Sequence, residues 1–143
     1  MSFREKIVWI SLIALLVAYG GYFTALGQDL AHGRPLELSF GRLVFCIVVL
    51  VAIETVLTVT AAAVAAIRNP GEATQALDER ERLIRLRGRS AGFFMLSGGT
   101  VCVAAGGLFD LSAGQIANGV ILSLALAEIV RCGTELSLYR TSA

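Results

Sequence analysis

The chain has 143 residues, 56% of them hydrophobic and 16% charged, with a net charge of +1 and a mean hydropathy of +0.75. Soluble domains are about half apolar and about a quarter charged, so these charges are too few to cover a water-facing surface. The near-neutral balance excludes a nucleic-acid-binding body, which carries a basic face across the domain. The length has room for one domain.

Four apolar stretches organise the chain. Ile7 to Leu26 carries no charge, Leu43 to Ile67 is interrupted only by Glu54, and Ala91 to Phe109 is again uncharged. A fourth runs from about Ile116 toward Glu135 and carries Glu128 and Arg131 in its later half. A helix rising ~1.5 Å per residue needs roughly 20 apolar residues to cross a ~30 Å hydrocarbon core. Backbone polar groups in lipid must be satisfied internally, so each stretch has to be helical. The sequence therefore predicts an all-α, integral membrane four-helix bundle forming one domain over residues 1–143. Its helices are expected at about 5–27, 40–68, 79–110 and 114–138.

The first stretch follows Arg4 and Lys6 and ends at Ala25-Leu26-Gly27, a layout shared with signal peptides. Its apolar run exceeds the ~7–15 residues of a signal core, so a retained first helix is expected. Pro35 and Pro70 fall between stretches, as helix integrity requires.

After the second stretch, Asn69-Pro70-Gly71 reads as a stop and turn. Asp78 is a good N-cap, with Glu81 three residues on as in a capping box. Asp78–Arg82 and Glu81–Arg85 are acid-then-base pairs at i,i+4. The third helix is thus expected to begin near 79 and to extend beyond the membrane into the cytoplasm. At 100° per residue Arg82, Arg85 and Arg89 share one face, opposite Leu83, Ile84 and the stems of Arg80 and Arg87. The segment Asp78, Glu79, Arg80, Arg82, Arg85, Arg87 and Arg89 has two readings: topology setting with anionic-lipid contact, or docking of a cytoplasmic partner.

Orientation follows from the same residues. Ten of the 12 Lys and Arg fall in the N-terminal segment, the 68–90 linker and the C-terminal tail, leaving Arg34 and Arg42 on the other side. The positive-inside rule then places both termini and the linker in the cytoplasm.

Two further patterns lie within the membrane. Gly98, Cys102 and Gly106 recur every four residues on the third helix, as do Gly119, Ser123 and Ala127 on the fourth. Such small-residue stripes let backbones approach closely, either within one chain or across a homo-oligomer seam. Glu54 and Glu128 come ~16 and ~18 Å in from the same boundary at helical rise. An intramembrane acid is costly and marks function by default. Thr58 stands one turn from Glu54, and Arg131 at i+3 from Glu128, so interhelical hydrogen bonding and a local ion pair are the structural alternatives.

The remaining residues point to no cofactor and no metal. Cys46, Cys102 and Cys132 lie in three different helices and read as small packing groups. His32 is the only histidine, so no histidine pair is available to ligate a haem. No nucleophile with a base and no phosphate-binding glycine loop is visible, which makes an enzyme the least supported class.

The run Asp78-Glu79-Arg80, an aliphatic residue at Ile84, and then Ser90, Ala91, Gly92, Phe93 and Phe94 resembles the signature of a family of small bacterial and archaeal membrane proteins of unknown function. In that family the motif separates the second and third of four membrane helices. The resemblance implies a sensory or inhibitory role, since members are often encoded beside small helix-turn-helix regulators, and it singles out Asp78, Glu79 and Arg80. The combined expectation is a non-enzymatic, partner-binding or regulatory protein of the bacterial inner membrane. It contacts the lipid bilayer and a cytoplasmic or membrane protein, with homo-oligomerisation open and nucleic acid excluded. The alternative is a small, dimeric, proton-coupled transporter using Glu54 and Glu128.

Overall fold

In a computed structural model, residues 3–33, 40–68 and 79–141 are described. They form four α-helices: α1 (Phe3–Ala31), α2 (Phe40–Arg68), α3 (Glu79–Gly106) and α4 (Ala113–Thr141), with a 3₁₀ turn at Gly107–Phe109 between the last two. No strand occurs among the described residues. α1, α3 with its 3₁₀ turn, and α4 are each long and apolar enough to cross a membrane. Asp78, Asn69 and both prolines lie outside the described residues.

The helix ends follow from local chemistry. α1 passes through Gln28 and Asp29, beyond the apolar run, and stops where Gly33 takes a left-handed φ of 69°. That conformation suits glycine, which has no Cβ to clash. The His32 and Gly33 amides donate to the carbonyls of Gln28 and Leu30, closing the end. At the start of α4, Ser112 and Gln115 cap reciprocally. The Ser112 amide donates to Gln115 Oε1 at 2.8 Å, and the Gln115 amide to Ser112 Oγ at 3.3 Å. This is a capping box with glutamine in place of glutamate. Before it, Asp110 adopts φ 56°, turning the chain back on itself.

α4 runs to Thr141 rather than ending near 138. Thr134 and Thr141 donate to the carbonyls of Val130 and Ser137, and Ser137 donates to that of Thr134. Hydroxyls that turn back onto their own helix are satisfied without interrupting it.

Extensive interfaces join α3 to α4, α1 to α2 and α1 to α4. The helices therefore stand in a row, α2–α1–α4–α3, and no extensive α2–α3 interface closes it into a ring among the described residues. α2 is apolar along almost its whole length. Lipid covers such a helix as well as a protein neighbour does, so burial alone does not pull it onto α3.

α3 and α4 are antiparallel and meet through small residues. A Cβ on Gly92 would lie 3.0 Å from the Ala127 carbonyl oxygen, and one on Gly99 2.6 Å from Ser123 Oγ. One on Gly119 would lie 2.9 Å from Val103. The α4 stripe of Gly119, Ser123 and Ala127 thus faces α3, but the expected α3 stripe does not face back. Gly98 has open space around it, Cys102 is exposed, and Gly106 meets Leu111 of its own turn. The contact line on α3 runs instead through Ile84, Gly88, Gly92, Gly99 and Val103. Gly98 and Gly99 are adjacent, so they point about 100° apart, and the helix presents the second.

α1 crosses α4 antiparallel through Ala18, Tyr22, Phe23 and Ile121. Buried within that contact, the Tyr22 hydroxyl donates to Asn118 Oδ1 at 2.7 Å, and Asn118 Nδ2 donates to the Gly114 carbonyl at 2.8 Å. Interhelical hydrogen bonds of this kind contribute about 0.6 kcal/mol on average in membrane proteins. Arg42 reaches Asp29 at 2.6 Å and fastens α2 to α1 at the same end. Large apolar side chains such as Val17, Phe45, Phe93 and Phe94 point outward, while small and hydrogen-bonded residues fill the interfaces. That distribution suits a hydrocarbon surround.

Candidate functional site

The starts of α1 and α3 and the end of α4 meet at one end of the molecule, where the charged side chains converge. Arg131 anchors this end. Its Nε and Nη2 each lie 2.7 Å from Glu128 Oε2, and its Nη1 lies 3.6 Å from Glu135 Oε1. The pattern Glu128, Arg131, Glu135 keeps all three on one face of α4, since three- and four-residue steps return to the same side of a helix.

Glu135 was not expected as a site residue. It is 3% exposed, and its side chain lies against α3 at Gly88. A Cβ on that glycine would come 2.5 Å from Glu135 Cγ. A glycine at 88 is therefore what allows an acid to be buried between the helices. The signal was present in the sequence as the i, i+3, i+7 spacing of acid, base and acid.

Beside this cluster is a cavity of about 170 Å³, lined by Ile7, Val8 and Ser11 of α1, Arg85 and Arg89 of α3, and Arg131, Cys132 and Glu135 of α4. Arg85 and Arg89 act electrostatically on Glu135 across it. At the rim, the Arg140 guanidinium carbon sits 5.6 Å from the centre of the Trp9 ring, within the range of a cation–π contact. This contact ties the first turns of α1 to the last turn of α4.

The first turns of α3 divide accordingly. Glu79 and Glu81 occupy the first turn, where carboxylates favour the positive end of the helix dipole. All five arginines of these turns are exposed, and of them Arg85 and Arg89 line the cavity while Arg80, Arg82 and Arg87 lie outside it. Leu83 and Ile84, expected together on the face opposite Arg82, Arg85 and Arg89, have different surroundings. Ile84 is buried against the neighbouring helices, while Leu83 is 56% and Leu86 52% exposed. The interface advances in four-residue steps from Ile84 to Gly88 to Gly92, which turns Leu83 outward.

Of the expected intramembrane polar site, Glu128 and Arg131 are brought together as an ion pair. Glu54 and Thr58 belong to α2, with side chains outside the described residues. No extensive interface joins α2 to α4 among the described residues. Cys132 is buried, as a packing group would be, and Cys102 is exposed; the Cys46 side chain lies outside the described residues. No metal-holding group of His, Cys, Asp and Glu side chains occurs among the described residues. Comparison with protein-family models, with curated proteins and with solved structures returned no match for this chain.

Proposed function

We propose that this is a non-enzymatic, four-span protein of the bacterial inner membrane that binds a cytoplasmic partner through the first turns of α3. In this reading both termini and the arginine-rich segment face the cytoplasm, in keeping with the positive-inside rule. One observation carries it: α3 is a single unbroken helix from Glu79 to Gly106. Its charged first turns are therefore a rigid extension of a helix locked onto α4, and they carry half-exposed Leu83 and Leu86 among Arg80, Arg82 and Arg87. An apolar centre rimmed by charge is the usual composition of a protein-binding surface.

The proton-coupled transporter ranks second. Glu128 is committed to Arg131 by two short contacts, so a proton carrier there would first have to break an ion pair. The partner reading is tested by reversing charge on the exposed rim with the double variant R82E/R87E. The variant is expected to reach the membrane at the level of the parent chain and to lose any stoichiometric partner that co-purifies with it. Retention of the partner at full stoichiometry would refute docking at this surface.

A further inference from the structure

We propose that the cavity between α1, α3 and α4 binds a phosphate group, gripped chiefly by Arg85 and Arg89. Three guanidiniums and one carboxylate line it, so the lining carries an excess of two positive charges. Their roles differ. Arg131 is held by Glu128 and Glu135 and is spent within the fold. Arg85 and Arg89 hydrogen-bond to no carboxylate among the described residues, which leaves their donors available.

The geometry suits a tetrahedral oxyanion. Residues four apart lie on the same helix face, and Arg85 and Arg89 both line this one cavity. Guanidinium forks match phosphate oxygens bidentately, giving stronger hydrogen bonds than neutral donors do. Ser11 offers a hydroxyl from the facing helix. At ~30 Å³ per water-sized group, the cavity of about 170 Å³ accommodates a phosphate. Glu135 repels an anion from the floor, which keeps the group toward the arginines of α3.

Two sources share this chemistry: the phosphodiester of an anionic lipid headgroup, and inorganic phosphate. The lipid is the better match where α3 leaves the apolar region, because Phe93 and Phe94 begin one turn past Arg89 and are exposed. The site is separate from the partner surface, so the R82E/R87E result does not bear on it.

The experiment uses the full chain in lipid-free micelles, titrated with phosphatidylglycerol and in parallel with phosphatidylcholine by native mass spectrometry. R85Q/R89Q is expected to lose phosphatidylglycerol affinity by about tenfold or more, and R82Q/R87Q to stay within about twofold of the parent. E135Q is expected to bind at least as tightly as the parent, because a repelling charge is gone. R85K/R89K, which preserves charge and removes the forks, is expected to lose several-fold and serves if the glutamine pair does not fold. Displacement of the lipid by millimolar inorganic phosphate would assign the site to the free ion, and failure to displace it would assign the site to the headgroup. The proposal is overturned if R85Q/R89Q binds like the parent, or if R82Q/R87Q loses as much, which would mean diffuse basic contact with the membrane surface.

Discussion

Replacing Arg131 by alanine is expected to destabilise the fold by about 3 kcal/mol, the lower end of the ~3–5 kcal/mol seen when one partner of a buried ion pair is removed. The lower end applies because a third of the Arg131 side chain is exposed, at 32%, while the Glu135 side chain is only 4% exposed. Without Arg131 a carboxylate remains buried between α3 and α4 with its closest counter-charge gone. Arg85 and Arg89 stay across the cavity and compensate only in part. Removing both charges with R131A/E135L is expected to recover most of the loss, because a buried pair and an apolar substitute are often close in stability. Reversible unfolding in mixed detergent micelles measures both. A double variant as unstable as R131A would mean that packing around Arg131, and not the stranded charge, sets the loss.

Gly92→Ala is expected to destabilise the α3–α4 contact by about 1–3 kcal/mol, the range for adding a methyl group to a filled interface. The new Cβ would sit 3.0 Å from the Ala127 carbonyl oxygen and 3.2 Å from Arg131 Cβ. The first of these is backbone and moves only if the helices part. Gly98→Ala, six residues along the same helix, meets nothing within 4 Å. It is expected to be neutral or slightly stabilising, since alanine favours a helix interior over glycine by up to ~1 kcal/mol. The two variants read against each other in the same unfolding assay. Equal losses at the two positions would contradict the helix register described above.

This glycine pair also marks the boundary of what the sequence made legible. Helical class, and helices long and apolar enough to cross a membrane, were readable because uncharged runs of about 20 residues have few other physical solutions. The register of α3 was not. A four-residue stripe through Gly98 and one through Gly99 are equally good sequence patterns, and the choice depends on which face meets Ser123 across the interface. The α1 boundary was missed for a related reason. Hydropathy ends at Leu26, whereas the helix runs on to Ala31, just before the left-handed Gly33, and hydropathy does not report helix continuation through polar residues.

The site was legible in its parts but not in its assembly. The Glu128–Arg131 pair followed from spacing alone. Glu135 reads in the sequence as a charge at the end of an apolar run, and its burial depends on Gly88 in another helix. Arg85 and Arg89 read as members of an arginine face shared with Arg82. Their separation from it is a tertiary effect: α1 and α4 complete a cavity against Arg85 and Arg89 but not against Arg82. Tyr22 and Asn118, 96 residues apart, likewise carry no sequence signal of their pairing.

Both the partner surface and the phosphate cavity depend on the arginine-rich end of α3 facing the cytoplasm, and one accessibility measurement tests that placement directly. Single cysteines are introduced by R87C, at the start of α3, and by L111C, in the exposed turn before α4, in a chain whose Cys46, Cys102 and Cys132 are replaced by serine or alanine. Intact spheroplasts are then treated with a membrane-impermeant maleimide. Labelling at position 111 before permeabilisation, with labelling at position 87 only afterwards, is the expected result. Labelling at position 87 in intact spheroplasts, with position 111 protected, would contradict the account.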